Sequence, residues 1–195
     1  MRMHVPFSRQ PSYYTCVAAC TKMLLAYRGK EIPMGTVIRG IRTTKQDGAT
    51  FENAGLFLVS LGHKPVVFSD ETVRSKNRRL RRKELLLLID KEIEDGDAHA
   101  HVIKEFALVG EFHPRNMTLR DILAVLAKEC PVIITIRIRW KKTDMYHAML
   151  AFGFNKKYIY YLDPTPSRKA PPEVRVRKKD FSKAMRQGTE ALYIR

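Results

Sequence analysis

A chain of 195 residues is long enough to bury one full hydrophobic core and marginal for two, so a single domain over 1–195 is expected. With 45% hydrophobic and 29% charged residues it is too apolar for a disordered chain. The net charge of +16 predicts attraction to nucleic acid, acidic proteins or anionic membrane surfaces, and says nothing about chemistry.

No apolar run approaches the roughly 18 residues that a membrane-crossing helix needs, and "MRMHVPFSRQ" lacks the continuous apolar segment of a secretory signal; the expected location is cytoplasmic. Three cysteines, Cys16, Cys20 and Cys130, are an odd number without the spacing of a disulfide scaffold, so reduced thiols are expected. Cys16 and Cys20 share a helical face, but no histidine or second cysteine pair nearby completes a ligand set, so neither metal nor cofactor is expected.

From Thr15 onward, "TCVAACTKMLLAY" places Cys16, Ala19, Cys20, Met23, Leu24 and Tyr27 on one helical stripe, with Thr15 as N-cap and Gly29 as the stop. A second helix is predicted from Pro33 to about Thr43, and a third from about Thr50 to Leu61, halted by Gly62. "KPVVFS" reads as a short strand.

Residues 70–95 form a helix candidate with seven basic residues between Arg74 and Lys83, where the helix dipole disfavours cations, so the basic part reads equally as an arm. The region 70–100 is therefore taken as a charged insertion within the domain. "GDAHAH" is expected to break the helix, with a strand over 102–109 and then an amphipathic helix, "TLRDILAVLAKEC", capped by Thr118. From Pro131 the period changes to extended runs: "PVIITIRIRW", "MYHAMLAFGF", "KYIYYLD", "PEVRVRK" and "EALYIR". Helices early and strands late predict an α+β fold, a helical half packed on a C-terminal antiparallel sheet. "TPSRKAPPE" is read as a surface loop.

Thiol chemistry needs a thiolate, and the first turn of a helix lowers a cysteine pKa through its dipole and free amides, which favours Cys16. A base is needed next. His147 in "MYHAMLAF" is the candidate among six histidines because it lies in a predicted strand, whereas His4, His63, His99, His101 and His113 fall in predicted termini or loops. Asp163 ends the following strand, and "GFNKK" supplies a hairpin turn, so two adjacent strands can bring the carboxylate to the imidazole and hold its tautomer. Gln10, ahead of the helix, offers an amide donor that could join the Cys16 backbone N–H in holding an oxyanion. Taken singly each residue has an ordinary structural reading; the order and spacing of all four point to chemistry.

The chain resembles the papain-like cysteine peptidases of the bacteriocin-processing type, peptidase family C39 and C39-like. The resemblance rests on Gln10 six residues before Cys16 at the head of a helix, and on "YHAMLAFGFNKKYIYYLDP" much later, with "LRDILAVLAKECPVIITI" and "RKKDFSKAMRQGTEALYI" similar to flanking family segments. It implies a peptide or protein substrate, with Cys16 as nucleophile, His147 as general base and acid, Asp163 as orienter and Gln10 as oxyanion donor. Val17 departs from the glycine that the family usually carries after the cysteine.

The expected activity is hydrolysis of a peptide or isopeptide bond through a thioester. An amidase or transpeptidase would use the same residues, because all share the acyl-enzyme step. The alternative from another class is a catalytically silent papain-like module that holds nucleic acid or an acidic partner through Arg74, Arg78, Arg79, Arg81, Arg82 and Lys83, or through Arg168, Lys169, Arg175, Arg177, Lys178 and Lys179. No aromatic residue interleaves with these runs along the chain, which argues against a stacking platform for single strands.

Overall fold

In the computed structural model, the described residues are 1–70, 80–140, 143–165, 172–185 and 189–195, with the side chains of 137–140 and 143–145 left aside. Helix α1 (Cys16–Tyr27) is buried on nearly every side, from Val17 through Leu25. A helix apolar all round belongs inside a core, and α1 lies against the central strands with α2 (Met34–Gly40) and α3 (Phe51–Ser60) beside it. Thr50 caps α3 by accepting from the Asn53 amide.

Thr15 precedes α1 as predicted but does not cap it. Its hydroxyl donates to the Ser12 carbonyl at 2.8 Å and accepts from the Ser12 amide at 3.1 Å, closing a tight turn. The side chain that would have taken an α1 amide is used to shape the chain ahead of it, so the first amides of α1 have no side-chain acceptor at the cap.

Strand β1 (Pro65–Phe68) follows α3. Helix α4 (Arg82–Glu94) buries Leu85 and Ile89 against α5 (Ala98–Val109). The expected strand over 102–109 is instead the second half of α5. Ala100, Ile103, Phe106 and Ala107 are buried at helical spacing, Asp97 caps the helix through the His99 amide, and "GDAHAH" separates two helices rather than ending in a strand. Of the basic run, Arg81, Arg82 and Lys83 are exposed at the start of α4, and Arg82 donates to the Leu108 carbonyl at the end of α5. Arg74, Arg78 and Arg79 lie outside the described residues, as does most of "TPSRKAPPE".

Strand β2 (Glu111–His113) leads to α6 (Leu119–Leu126), whose Thr118 and Asp121 form a reciprocal capping box; Arg115 pairs with Asp121 at 2.8 Å. Burial pushes the Asp121 carboxyl up, but Arg115 and both Thr118 donors outweigh it and hold its pKa at about 2. A depressed carboxylate stabilises the fold above its unfolded pKa and loses that contribution as pH falls toward about 2. Asp121→Ala is expected to cost about 1–2 kcal/mol at neutral pH, read by urea unfolding, and the difference from the parent should shrink in acid.

The remaining elements are β3 (Val132–Trp140), β4 (Thr143–Phe154), β5 (Tyr158–Leu162), β6 (Glu173–Arg177), α7 (Lys178–Met185) and β7 (Ala191–Ile194). The seven strands form one sheet in the order β2-β1-β7-β3-β4-β5-β6. The expected antiparallel C-terminal sheet is present from β7 to β6; the correction is at the other edge, where β1 joins β7 and β2 runs parallel to β1. Val132, Ile133 and Ile134 are all fully buried, so both faces of the central strand are covered. Helix α7, read only as part of a closing segment, buries Phe181 and Met185 one turn apart.

The N-terminal residues extend the sheet where β3 has ended. Met3 donates to the Phe152 carbonyl and Phe154 to that of Met1, and a Cβ at Gly153 would lie 2.7 Å from the Met1 carbonyl oxygen. This anchors the chain that runs on to Gln10 and α1.

Candidate active site

Cys16 is the first residue of α1 and half-buried, the only one of the three cysteines that is not buried. Its thiol is in hydrogen-bond contact with His147, and the backbone amides of Ala148 and Val17 also point to the sulfur. Burial pushes the thiol up, yet the His147 hydrogen bond, the Ala148 amide, the imidazolium charge and the Val17 amide outweigh it, leaving Cys16 below the ordinary thiol value.

His147 sits on β4, and its Nε2 lies 2.9 Å from Oδ1 of Asp163, leaving Nδ1 for the thiol. The pairing of Leu150 with Leu162 sets the β4–β5 register, so Asp163, the next residue along, stands diagonal to His147 across the two strands, the juxtaposition that the hairpin reading anticipated. Burial pushes the imidazole down, but the hydrogen bonds to Asp163 and Cys16 and the charges of both hold it up at about 9. The side chain of His147 is only 12% exposed, against 30% for Asp163, so the pair is shielded but reachable. Burial raises the Asp163 carboxyl; the His147 hydrogen bond, the Thr165 amide and the imidazolium charge outweigh it and leave it below the usual carboxylate range.

Two supporting contacts were not anticipated. Oδ1 of Asp163 also accepts from the Thr165 amide at 2.8 Å, an Asx turn that fixes the carboxylate, and "DPT" is the local signal that could have shown it. The Pro164 carbonyl accepts from the Gln10 backbone amide at 3.0 Å, tying the segment ahead of α1 to the loop after β5.

Gln10 is buried beside that loop, and no hydrogen bond joins it to Cys16. Its Nε2 donates to the Ser12 carbonyl at 2.9 Å, which uses one of two hydrogens, while its Oε1 is buried without a partner. Among the described residues the structure thus brings Cys16, His147 and Asp163 into one line, with Gln10 near its end.

A cleft of about 320 Å³ opens over Cys16. Besides Cys16 it is lined by Tyr13, Tyr14 and Val17, by the 46–51 segment, and by Thr135, Tyr146, Ala148 and Glu190. The 46–51 segment starts in the Thr44–Gly48 turn, where Gly48 takes φ +73 and approaches the Tyr14 carbonyl so closely that a Cβ would lie 3.3 Å from it. Val17 is buried at 6% exposure, so its bulk goes into the core as well as the cleft lining.

The other two thiols are enclosed. Cys20 is fully buried, and burial raises its pKa well above the ordinary value, with Cys16 and Asp163 adding to it. Cys130 lies 2.9 Å from the Ile194 carbonyl, and burial raises it despite the nearby Arg28. His99 and His101, expected in loops, are on α5, and His113 is on β2; none of the three neighbours the thiol.

No protein-family model matches the sequence, and no curated protein is detectably similar to it. Solved structures are similar. A double-glycine-motif protease from an AMS/PCAT transporter, crystallised with the leader peptide, aligns at TM-score 0.55 and 19% identity over 99% of this chain and 93% of its own. A C39-like peptidase from Bacillus anthracis aligns at 0.56 and 14% identity over 99% and 96%, and the peptidase domain of Streptococcus ComA, a bifunctional ABC transporter of a quorum-sensing pathway, at 0.56 and 14% over 98% and 98%. Among the described residues no helix is long and apolar enough to cross a membrane. The chain has the papain-like α+β fold of the C39 peptidases.

Proposed function

We propose that the protein is a cysteine peptidase that hydrolyses a peptide or isopeptide bond through a thioester on Cys16. The observation that carries this reading is the line from the Cys16 thiol, which opens on a cleft, to the His147 imidazole to the Asp163 carboxylate. The same line would serve an amidase, so peptide hydrolysis rests on the likeness in fold to peptidases.

In the resting pair the sulfur is a thiolate and the imidazole carries both protons, one shared with Asp163. The thiolate attacks the substrate carbonyl carbon, and the carbonyl electrons move onto oxygen. The Cys16 N–H, in the first turn of α1 where helix geometry leaves amides without intrahelical acceptors, is one donor for that oxyanion. The second hydrogen of Gln10 Nε2 is proposed as the other.

As the tetrahedral species collapses, the C–N bond breaks and His147 gives the Nδ1 proton to the leaving amine, which leaves a thioester. Neutral His147 then takes a proton from water, the hydroxide attacks the thioester carbon, and the C–S bond breaks to restore thiolate and imidazolium. Asp163 keeps Nδ1 facing the sulfur and steadies the charged ring.

Asp163→Asn separates orientation from nucleophilicity. An amide in place of the carboxylate is expected to lower turnover of a peptide substrate by about 10²–10⁴-fold, since the ring loses its tautomer control. Cys16 should still react with iodoacetamide faster than a free thiol. Equal loss of both would place Asp163 in the fold rather than the reaction.

A further inference from the structure

The solvent face of β5 and β6 carries aromatic and cationic side chains in alternation, a pattern hidden in the sequence because the two kinds come from different strands. Tyr158 pairs in register with Arg177, and Tyr160 with Arg175, so all four share one face of the sheet. The Arg175 guanidinium lies 5.3 Å from the Tyr158 ring centre and the Arg2 guanidinium 4.5 Å from that of Tyr160; the Lys157 ammonium is 5.9 Å from Tyr158. Arg175 and Arg177 are exposed along the outermost strand, while Tyr158 and Tyr160 are half-buried. Arg2 also pairs with Glu173, the acidic residue of this face.

From this alternation we infer that the β5–β6 face is a binding platform for single-stranded nucleic acid. Rings at i and i+2 on a strand stand roughly 7 Å apart with their edges held by packing, so they offer bases a pre-ordered surface. A guanidinium laid on a ring presents its own flat face for stacking and its N–H fork for phosphate. Arg175, Arg177 and Lys157 supply cations along the edge of the sheet, and the chain's +16 charge adds long-range attraction. An acidic peptide would use the cations and leave the rings idle, which is why a strand with bases is the better fit. The platform lies near the β4–β5 turn, roughly 20 to 26 Å along the strands from His147 at the usual strand rise, and is independent of the cysteine chemistry.

The test is fluorescence anisotropy of the full chain with an oligo(dT) of about 15 nucleotides and with an abasic strand of equal phosphate count, between about 50 and 200 mM salt. The oligo(dT) is expected to bind at low salt at least about 10-fold more tightly than the abasic strand. Tyr158→Leu and Tyr160→Leu, which keep apolar bulk, are each expected to lose about 10-fold. Arg175→Gln with Arg177→Gln, both on exposed side chains that cannot unfold the core, should reduce the slope of log K against log salt by about 1.4. Iodoacetamide labelling of Cys16 should be unchanged in all of them. Equal binding of the abasic strand or of a polyglutamate peptide, an unchanged salt slope in the arginine pair, or no binding of oligo(dT) at low salt would each overturn the platform.

Discussion

Cys16→Ala is expected to abolish peptide hydrolysis, by at least about 10⁴-fold, while the melting temperature moves by no more than a few degrees. Cys16 is the half-buried thiol at the start of α1 and the one that reaches the cleft, so removing the sulfur removes the nucleophile and little packing. Cys16→Ser should be as inactive, because the pair lowers a thiol into the titration range of imidazole and cannot do so for a hydroxyl. Cys20→Ala is the contrasting variant: fully buried one turn further on, it should cost on the order of 1 kcal/mol of stability and leave turnover in place. Turnover that survives Cys16→Ala and fails in Cys20→Ala would put the thioester reading aside.

His147→Ala should fall nearly as far, because it removes both the base and the partner that keeps the thiol ionised. Under the proposed mechanism the parent protein is expected to hold its activity well below the ordinary thiol pKa of roughly 8.5 and to lose it as pH rises through about 9, where His147 gives up its proton. The thiol and the ring titrate as a coupled unit, so these limbs belong to the pair. The stability linkage has the same sign. A histidine whose folded pKa lies above its unfolded value stabilises the fold fully below about pH 6.5 and loses that contribution as pH rises through about 9. Unfolding midpoints of the parent and of His147→Ala should therefore converge as the solution is made alkaline; a constant difference across that window would mean that the ring is not protonated in the native state.

The parts of the fold that could be read from the chain are those where one period dominates. α1, α3 and α6 carry clear stripes with a stop or cap at the right place, and β3 to β5 are unbroken β-branched and aromatic runs. α5 was misread because Val102 and Ile103 have strand propensity, whereas the stripe of Ala100, Ile103, Phe106 and Ala107 against α3 and α4 decides the matter through tertiary packing. The parallel β1–β2 pair had no local signal, since β2 is three residues long and its partner is set by α5 crossing between them. The placing of Cys16, His147 and Asp163 was legible because each stands at an element end or in a strand with a known neighbour. Gln10 was less so: its amide direction depends on a carbonyl two residues away at Ser12, which no spacing reveals. The aromatic and basic side chains of β5 and β6 interleave only across strands, so their alternation has no signal along the linear chain.

The most direct measurement is the rate of iodoacetamide labelling at each cysteine from about pH 5 to 9, resolved by mass spectrometry, on the native protein and on His147→Ala. Cys16 should label at pH about 6 on the order of 10²-fold faster than in His147→Ala, while Cys20 and Cys130 stay slow in both. A Cys16 rate at that pH no greater than that of a free thiol, or unchanged by loss of His147, would contradict the thiolate–imidazolium pair and with it the proposed peptidase chemistry.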